Sequence, residues 1–425
     1  MSKQHTDVIL DVQDKPALPL LVGLSLQHMV AMFSGTLLVP LLVGLSPAVG
    51  LFSSGVGTLL HILITRKKIP MYMGASFAFL VPMAALMHTT GYPSVASGVI
   101  SVGIIYLIIA ALIALVGTKI IAKIFPPIVV GPIVMAVGLS LATSVATNGT
   151  LLDGKYDIRV FIVTMLTLGL TIFFNSFFKG PFGMLSILLG IISGYILAIV
   201  FGLVDLQPVV HAHWFAVPQF QIPFVSFKPV LNWEAIVAIA PLAMVSMTDH
   251  FGYLMTTGEL TDRDYLKNPD LKRTIAGNGV ATMFSGLVGG PALTSYGENI
   301  GVLALTKVHS VYALIGAAIF AIMFSFVGKL AALVATVPAA VTGGVSFLLF
   351  GVIAVSGMRI IVENKLDFND KRNLMIGSSI LVIGIGNAYL QIGAGPHLIQ
   401  FSGLTIATVV GIILNLILPK ESASK

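Results

Sequence analysis

Cysteine is absent from the 425 residues, and only 9% of them are Asp, Glu, Lys or Arg. The first absence excludes disulfides and thiolate metal sites, although it says little about redox compartment because membrane helices seldom need either. The second excludes an ordinary soluble domain, in which roughly a quarter of the residues are charged. Signatures of enzymatic chemistry are missing too: with no HExxH, GxSxG or P-loop pattern, an intramembrane hydrolase lacks the residues it would need, and no metal or cofactor is expected. What the chain has in abundance is apolar surface. Hydrophobic residues make up 56% of it and the mean hydropathy is +1.00, the composition of a membrane protein.

Charge is missing over long runs. Residues 16–65 and 69–118 contain no Asp, Glu, Lys or Arg, and each run can cross a bilayer twice at about 20 residues per helical span. Cutting at charged or turn-rich stretches gives about fourteen apolar segments, starting near 19, 47, 70, 96, 125, 159, 180, 234, 274, 291, 311, 338, 373 and 400. The N-terminal MSKQHTDVILDVQDKP is polar and unlike a cleaved secretory signal, so the first segment is expected to remain as a span. With a cytoplasmic N-terminus, 19 of the 23 Lys and Arg fall in inside loops, and only Lys155, Arg159, Lys228 and Lys329 fall outside. The inside group includes Lys119 and Lys123. Both termini are therefore expected in the cytoplasm, and the net charge of +6 reads as an orientation signal, with no nucleic-acid partner expected.

Three echoes relate the halves of the chain. Gln27-His28 in SLQHMVAM is matched by Asp249-His250 in TDHFGYL, Pro70 before MYMGASFAFL by Pro291 before ALTSYGENIG, and FPPIVVGPIVMAVG (125–138) by VPAAVTGGVSFLLFG (337–351). They pair spans 1, 3 and 5 with 8, 10 and 12. The odd shift of seven predicts an inverted repeat of seven plus seven spans. Between the halves lies an outside segment, 205–233, whose His211, His213 and Trp214 suggest an interfacial aromatic loop, because no third ligand stands at metal-site spacing.

Within the spans, only Asp249 and Glu298 are acidic, and an intramembrane carboxylate is by default a functional candidate because its insertion costs several kcal/mol. Tyr253 and Thr256 follow Asp249 at helical spacing, which predicts one polar face; a purely structural hydrogen-bond network is the alternative. GGPALTSYG is a poor helix, whereas GENIGVLALTK reads as a short one, and IPMYMGASFAFL (69–80) has the same broken character. Two broken spans at corresponding places predict a midplane site. It would offer backbone N–H donors, two carboxylate acceptors and the aromatic faces of Phe77 and Tyr296, which suits a neutral planar heterocycle with adjacent C=O and N–H groups. His28 and His250 are further titratable groups, or else packed interhelical donors.

ENIGVLALTK (298–307) matches the polar-Asn-x-Gly, four residues, Thr-basic signature of the nucleobase-ascorbate transporters, the nucleobase:cation symporter-2 family. SLQHMVAMFSGTLLVP (25–40), KIPMYMGASFAF (68–79), HAHWFAVP (211–218) and TSYGENIGV (294–302) are similar to its bacterial uracil branch, so the likeness covers nearly the whole chain. Purine permeases of the family usually carry Gln in place of Glu298. The resemblance implies an all-α polytopic protein of about 14 transmembrane segments with core and gate domains. These are a core of residues 19–124 (spans 1–4) and 234–337 (spans 8–11), and a gate of 125–204 (spans 5–7) and 338–418 (spans 12–14), with tails 1–18 and 419–425. It further implies a homodimer in the bacterial cytoplasmic membrane that imports uracil with protons.

By the same likeness, Phe77 and Gly297 donate backbone N–H groups to substrate carbonyls, Tyr296 packs beside the ring, and Asp249 and Glu298 accept its N–H groups. Asn299, Gly301, Thr306 and Lys307 complete the motif, with Asn299 shaping the junction or tuning Glu298 through a hydrogen bond. Proton-coupling candidates are Glu298, Asp249, His250, Tyr253 and His28. Uracil transporters usually show Glu at the position of Asp249 and often His at that of Tyr253, so this chain departs from the pattern at both. Alternatives are a xanthine or other purine permease, or an anion exchanger of related architecture, which Glu298 disfavours.

Overall fold

The computed structural model describes residues 9–116, 126–140, 142–152, 154–179, 185–386, 388–392, 399–401 and 403–419. Lys119, Lys123, the expected boundary at 124/125, the start of the seventh segment at 180 and the outer parts of both tails lie outside the described residues.

A bilayer core leaves no water for unpaired backbone groups, and the chain accordingly folds into helices. In the first half these are α1 (Leu18–Val43), α2 (Pro47–Ile64), α3 (Leu80–Thr89), α4 (Tyr92–Val116), α5 (Pro127–Ser140), α6 (Ala142–Asn148), α7 (Ile158–Phe177) and α8 (Ser186–Val200). The second half has α9 (Gln207–His211), α10 (Trp233–Ile239), α11 (Ala243–Thr261), α12 (Leu271–Val288), α13 (Gly297–Thr306), α14 (Val311–Ser325), α15 (Gly328–Ala335), α16 (Ala339–Glu363), α17 (Lys371–Ile385) and α18 (Gly403–Ile417). Six short strands occur among the described residues: β1 (Met73–Ala75), β2 (Leu151–Leu152), β3 (Lys155–Tyr156), β4 (Leu293–Ser295), β5 (Leu390–Ile392) and β6 (Ile399–Phe401). Among the described residues, seven helical stretches are long and apolar enough to cross a membrane, and four shorter apolar helices accompany them. The protein is a multi-pass membrane protein. The eighth segment is interrupted by a 3-10 turn at Ala240–Leu242, where Pro241 lacks the N–H that a continuous helix would use. The β2–β3 and β5–β6 pairings and α15 had no sequence signal.

Helix packing repeats under the shift of seven segments. α4 lies along α12 just as α14 lies along α2, and α1 packs on α14 as α10 packs on α4. Elsewhere, α8 packs on α7 as α18 packs on α17, and α17 on α5 as α7 on α16. Small residues permit the closest of these approaches. A Cβ on Gly103 of α4 would stand 2.7 Å from the Gly279 carbonyl of α12 and would collide with Met283, while one on Gly279 would stand 2.9 Å from the Gly103 carbonyl. Without a hydrophobic drive between helices in lipid, such backbone proximity is what van der Waals packing uses to hold them together.

Part of the expected N-terminal tail is built into the fold. The Ile9 N–H donates to the Lys307 carbonyl (3.0 Å), and the N–H groups of His309 and Val311 donate to the carbonyls of Leu10 (2.8 Å) and Val12 (3.0 Å). Val12 is fully buried, and Asp11 forms an ion pair with Arg263 at 2.6 Å.

Candidate functional site

Two chain breaks meet at the middle of the molecule. β1 and β4 pair antiparallel, with Met73 opposite Ser295, Gly74 opposite Thr294 and Ala75 opposite Leu293. Proline and β-prone residues keep both stretches out of the helix, so their backbone groups need partners from elsewhere. Part of the need is met by the pairing itself, extended by Tyr296 N–H to the Tyr72 carbonyl (3.0 Å) and Ser76 N–H to the Ala292 carbonyl (2.9 Å). Hydroxyls of the flanking helices meet more of it: Ser54 of α2 donates to the Met73 carbonyl (2.6 Å) and Thr282 of α12 to the Leu293 carbonyl (3.0 Å). The two donors come from spans related by the repeat.

Immediately after each strand the chain turns helical. A 3-10 turn, Phe77–Phe79, leads into α3 after β1, and α13 starts at Gly297 after β4. Helix N-termini carry N–H groups without intrahelical partners and a partial positive charge. Both starts border one cavity of about 110 Å³, lined by Ala75, Ser76, Phe77, Val245, Asp249, Tyr253, Thr294, Ser295, Tyr296 and Glu298, and closed on its far side by Val134 and Val137 of α5 and Ile353 of α16. That volume is well below the roughly 300–1,000 Å³ typical of pockets for drug-sized ligands.

Five of the residues singled out from sequence, namely Phe77, Asp249, Tyr253, Tyr296 and Glu298, thus line a single cavity. Glu298 is accessible and lines the cavity. Gly297 holds its place by being small: a Cβ there would lie 2.8 Å from Cε1 of Tyr253. Tyr296 is buried, and its hydroxyl donates to the Ala75 carbonyl at 2.9 Å. Its ring occupies a slot floored by Gly74, where a Cβ would come within 2.7 Å of Cε1 and collide with Cζ.

Other expectations are corrected. Asn299 does not bond Glu298; its Nδ2 donates to the Pro70 carbonyl at 3.2 Å, because successive residues of a helix point about 100° apart. It ties α13 to the proline that opens the first broken span. Thr256 does not extend the polar face into the cavity, since it is exposed and donates to the Gly252 carbonyl at 3.0 Å. His28 and His250 are fully buried and outside the cavity lining. Thr306 caps the end of α13, donating to the Val302 carbonyl (2.8 Å), and Lys307 adopts a left-handed backbone (φ 54°) that stops the helix. Gly301 lies within α13. In the connecting loop, His211 bonds Gln207 at 3.2 Å and Trp214 lies under the Lys329 ammonium at 5.6 Å. No cluster of potential metal ligands occurs among the described residues.

Sequence reasoning missed Ser76, Thr294 and Ser295 as cavity lining, because Ser and Thr are common in membrane helices. It also missed Val134, Val137 and Ile353, whose apolar side chains carry no distinguishing signal. The combination is chemically specific. Two carboxylates can accept hydrogen bonds, two helix starts can donate them, and aromatic residues with an apolar wall can cover flat faces.

A family model described as "Permease family" matches residues 20–393. The chain is 46% identical over 425 residues to the uracil permease of Bacillus subtilis (strain 168), covering 99% of this chain and 97% of that protein. To the uracil permease of Bacillus caldolyticus it is 44% identical over 414 residues, covering 97% and 95%. Among solved structures, the transmembrane domain of a cyanobacterium bicarbonate transporter, BicA, superposes with a TM-score of 0.59 at 15% identity, covering 93% of this chain and 96% of that one. The murine Solute Carrier 26 family member A9 anion transporter in the inward-facing state gives 0.69 at 12% identity, covering 95% and 69%. The structural likenesses speak for a shared membrane-transporter fold alone, whereas the relatives, aligned almost end to end, are named as permeases and not as enzymes. The chain belongs to the permease family, in which its relatives include the uracil permeases of Bacillus.

Proposed function

We propose that this protein imports uracil across the bacterial cytoplasmic membrane together with protons, by alternating access. The observation that carries the reading is the single cavity in which Asp249 and Glu298 face two helix starts and the aromatic residues Phe77 and Tyr296. Uracil offers two carbonyls and two ring N–H groups in one plane. Its carbonyls meet the backbone N–H groups at Phe77 and Gly297, its N–H groups meet the carboxylates, and its faces meet the aromatic rings. The full-length likeness to relatives named uracil permeases supports the same substrate. A small cavity favours a one-ring base over a purine.

The proposed architecture has fourteen spans, with residues 19–124 and 234–337 as a core that carries the substrate and 125–204 and 338–418 as a gate. The repeat in the helix packing supports this division. Residues 205–233 lie outside, both termini lie in the cytoplasm, and the protein forms a homodimer in the membrane. Protonation of Glu298 or Asp249 would neutralise the loaded site and lower the cost of carrying it between the two faces, which links substrate movement to a proton gradient.

Uptake of labelled uracil into proteoliposomes tests the reading, with and without an imposed pH gradient and with unlabelled xanthine, sulfate and bicarbonate as competitors. We expect gradient-driven uptake blocked by unlabelled uracil alone. Uptake unaffected by collapse of the gradient would sink the coupling, and competition by xanthine or by anions would reassign the substrate. Glu298→Gln should weaken uracil binding by about tenfold or more through loss of a charge-assisted hydrogen bond.

A further inference from the structure

His250 lies behind the cavity wall with both ring nitrogens engaged. Nδ1 is 2.7 Å from Oγ of Ser295, a residue of β4 that lines the cavity, and Nε2 is 2.9 Å from Oγ1 of Thr274 on α12. The Thr274 hydroxyl donates to the carbonyl of Leu271, the first residue of α12, at 2.9 Å. Each hydroxyl has one proton, so this donation makes Nε2–H the donor to Thr274 and leaves Nδ1 to accept from Ser295, whose hydroxyl also lies 3.8 Å from the Met73 sulfur, a weaker acceptor. The three hydrogen bonds therefore run head to tail from the cavity wall to the start of α12. A chain with one common direction is the arrangement that proton hopping requires.

We propose that this chain, Ser295 to His250 to Thr274, is the exit route by which the coupling proton leaves the binding site through the interior of the core for the cytoplasm. The proposal rests on the proton-symport reading above and on its cytoplasmic placement of the loop before α12. A proton delivered from the cavity to Ser295 Oγ displaces that hydroxyl's own proton to Nδ1. Nε2 then releases its proton to Thr274, whose own proton passes to a water molecule at the first turn of α12 and leaves as hydronium. One proton enters and one leaves, and only O–H and N–H bonds change. Rotation of the hydroxyls and transfer of the ring proton restore the starting state.

His250 is packed among neutral hydroxyls and a second imidazole. From α2, the fully buried His61 stands edge to face with His250, their ring centroids 6.2 Å apart, and Asn278 of α12 lies beside His61. From β4 comes Ser295 and from α12 Thr274, both neutral hydroxyls. Asp249, the next residue on the same helix, lines the cavity instead. Two neighbouring imidazoles cannot both be charged, so at most one proton passes the pair at a time.

His250→Gln keeps an amide donor and acceptor but cannot titrate, and Thr274→Val cuts the chain one link further on. Both are measured for pH-gradient-driven uracil accumulation and for uracil counterflow at equal pH, with Thr274→Ser as the conservative rescue. The expected result is accumulation reduced by about tenfold or more, counterflow within about twofold of the parent, and recovery in Thr274→Ser. Equal loss of accumulation and counterflow would make His250 a packing residue and overturn the proposal, as would unchanged accumulation in both variants. If the parent protein itself shows no response to the gradient, the symport reading fails first, and that is visible before any variant is measured.

Discussion

Gly74→Ala is the most direct perturbation of the site because it adds one methyl group where the ring of Tyr296 lies on the backbone. The new Cβ would stand 2.5 Å from Cε2 and 2.7 Å from Cε1, closer than real Cβ contacts allow. β1 cannot retreat, since the Met73 carbonyl is held by Ser54 and the strand is paired with β4. The ring must move instead, away from β1 and out of its place beside Gly35 of α1. Overpacking of this kind costs about 1–3 kcal/mol, and loss of the Tyr296 hydroxyl bond to the Ala75 carbonyl adds about 0.5–1.5 kcal/mol. If the parent geometry must be restored for substrate to bind, about 1.5–4.5 kcal/mol is charged against binding, or about 13- to 2,000-fold in Kd. Titration calorimetry of uracil into purified protein reads this directly. Tyr296→Phe should lose only the hydroxyl part, a factor of about 2–13. In the double variant Gly74→Ala/Tyr296→Ala the two changes should be strongly non-additive, because the clash is gone. A folded Gly74→Ala protein that binds uracil within about threefold of the parent would refute the account of the slot.

Two further outcomes follow from other contacts. Asn299→Ala removes the donor to the Pro70 carbonyl inside the fold and should lower stability by about 1–3 kcal/mol; an unchanged thermal midpoint would mean that the link between the broken spans carries no weight. Gly103→Val forces α4 from α12, because its Cβ meets the Gly279 carbonyl and Met283. It should lower the melting temperature by several degrees, with a cost of about 1–3 kcal/mol, whereas Gly169→Val, at a position with nothing within 4 Å, should change it little.

Much of the site was legible in the chain. Asp249 and Glu298 stood out because charge is otherwise missing from the spans, and the cost of burying a carboxylate in lipid makes every exception informative. Pro70 and Pro291 announced the broken spans, since neither can sustain a helix through the residues that follow. The family motif added the roles expected of Phe77, Tyr296 and Gly297. Asn299 was placed on the motif but not given its partner, because the Pro70 carbonyl is 229 residues away and nothing local points to it. His250 was identified as a titratable group, yet its two hydroxyl partners, Ser295 and Thr274, belong to other elements and look like ordinary membrane-helix residues.

The sequence by itself determined that the protein lives in a membrane, that its halves echo one another and that two carboxylates face something other than lipid. These follow from composition and local spacing, where the cost of transfer into hydrocarbon acts on each segment separately. Only the tertiary structure decided that β1 and β4 pair, that Gly74 floors the slot for Tyr296, and that Ser295, His250 and Thr274 form one directed chain. Such features depend on distances between residues far apart in sequence, set by how helices with nearly uniform apolar surfaces pack, and a uniformly apolar surface does not specify its neighbour.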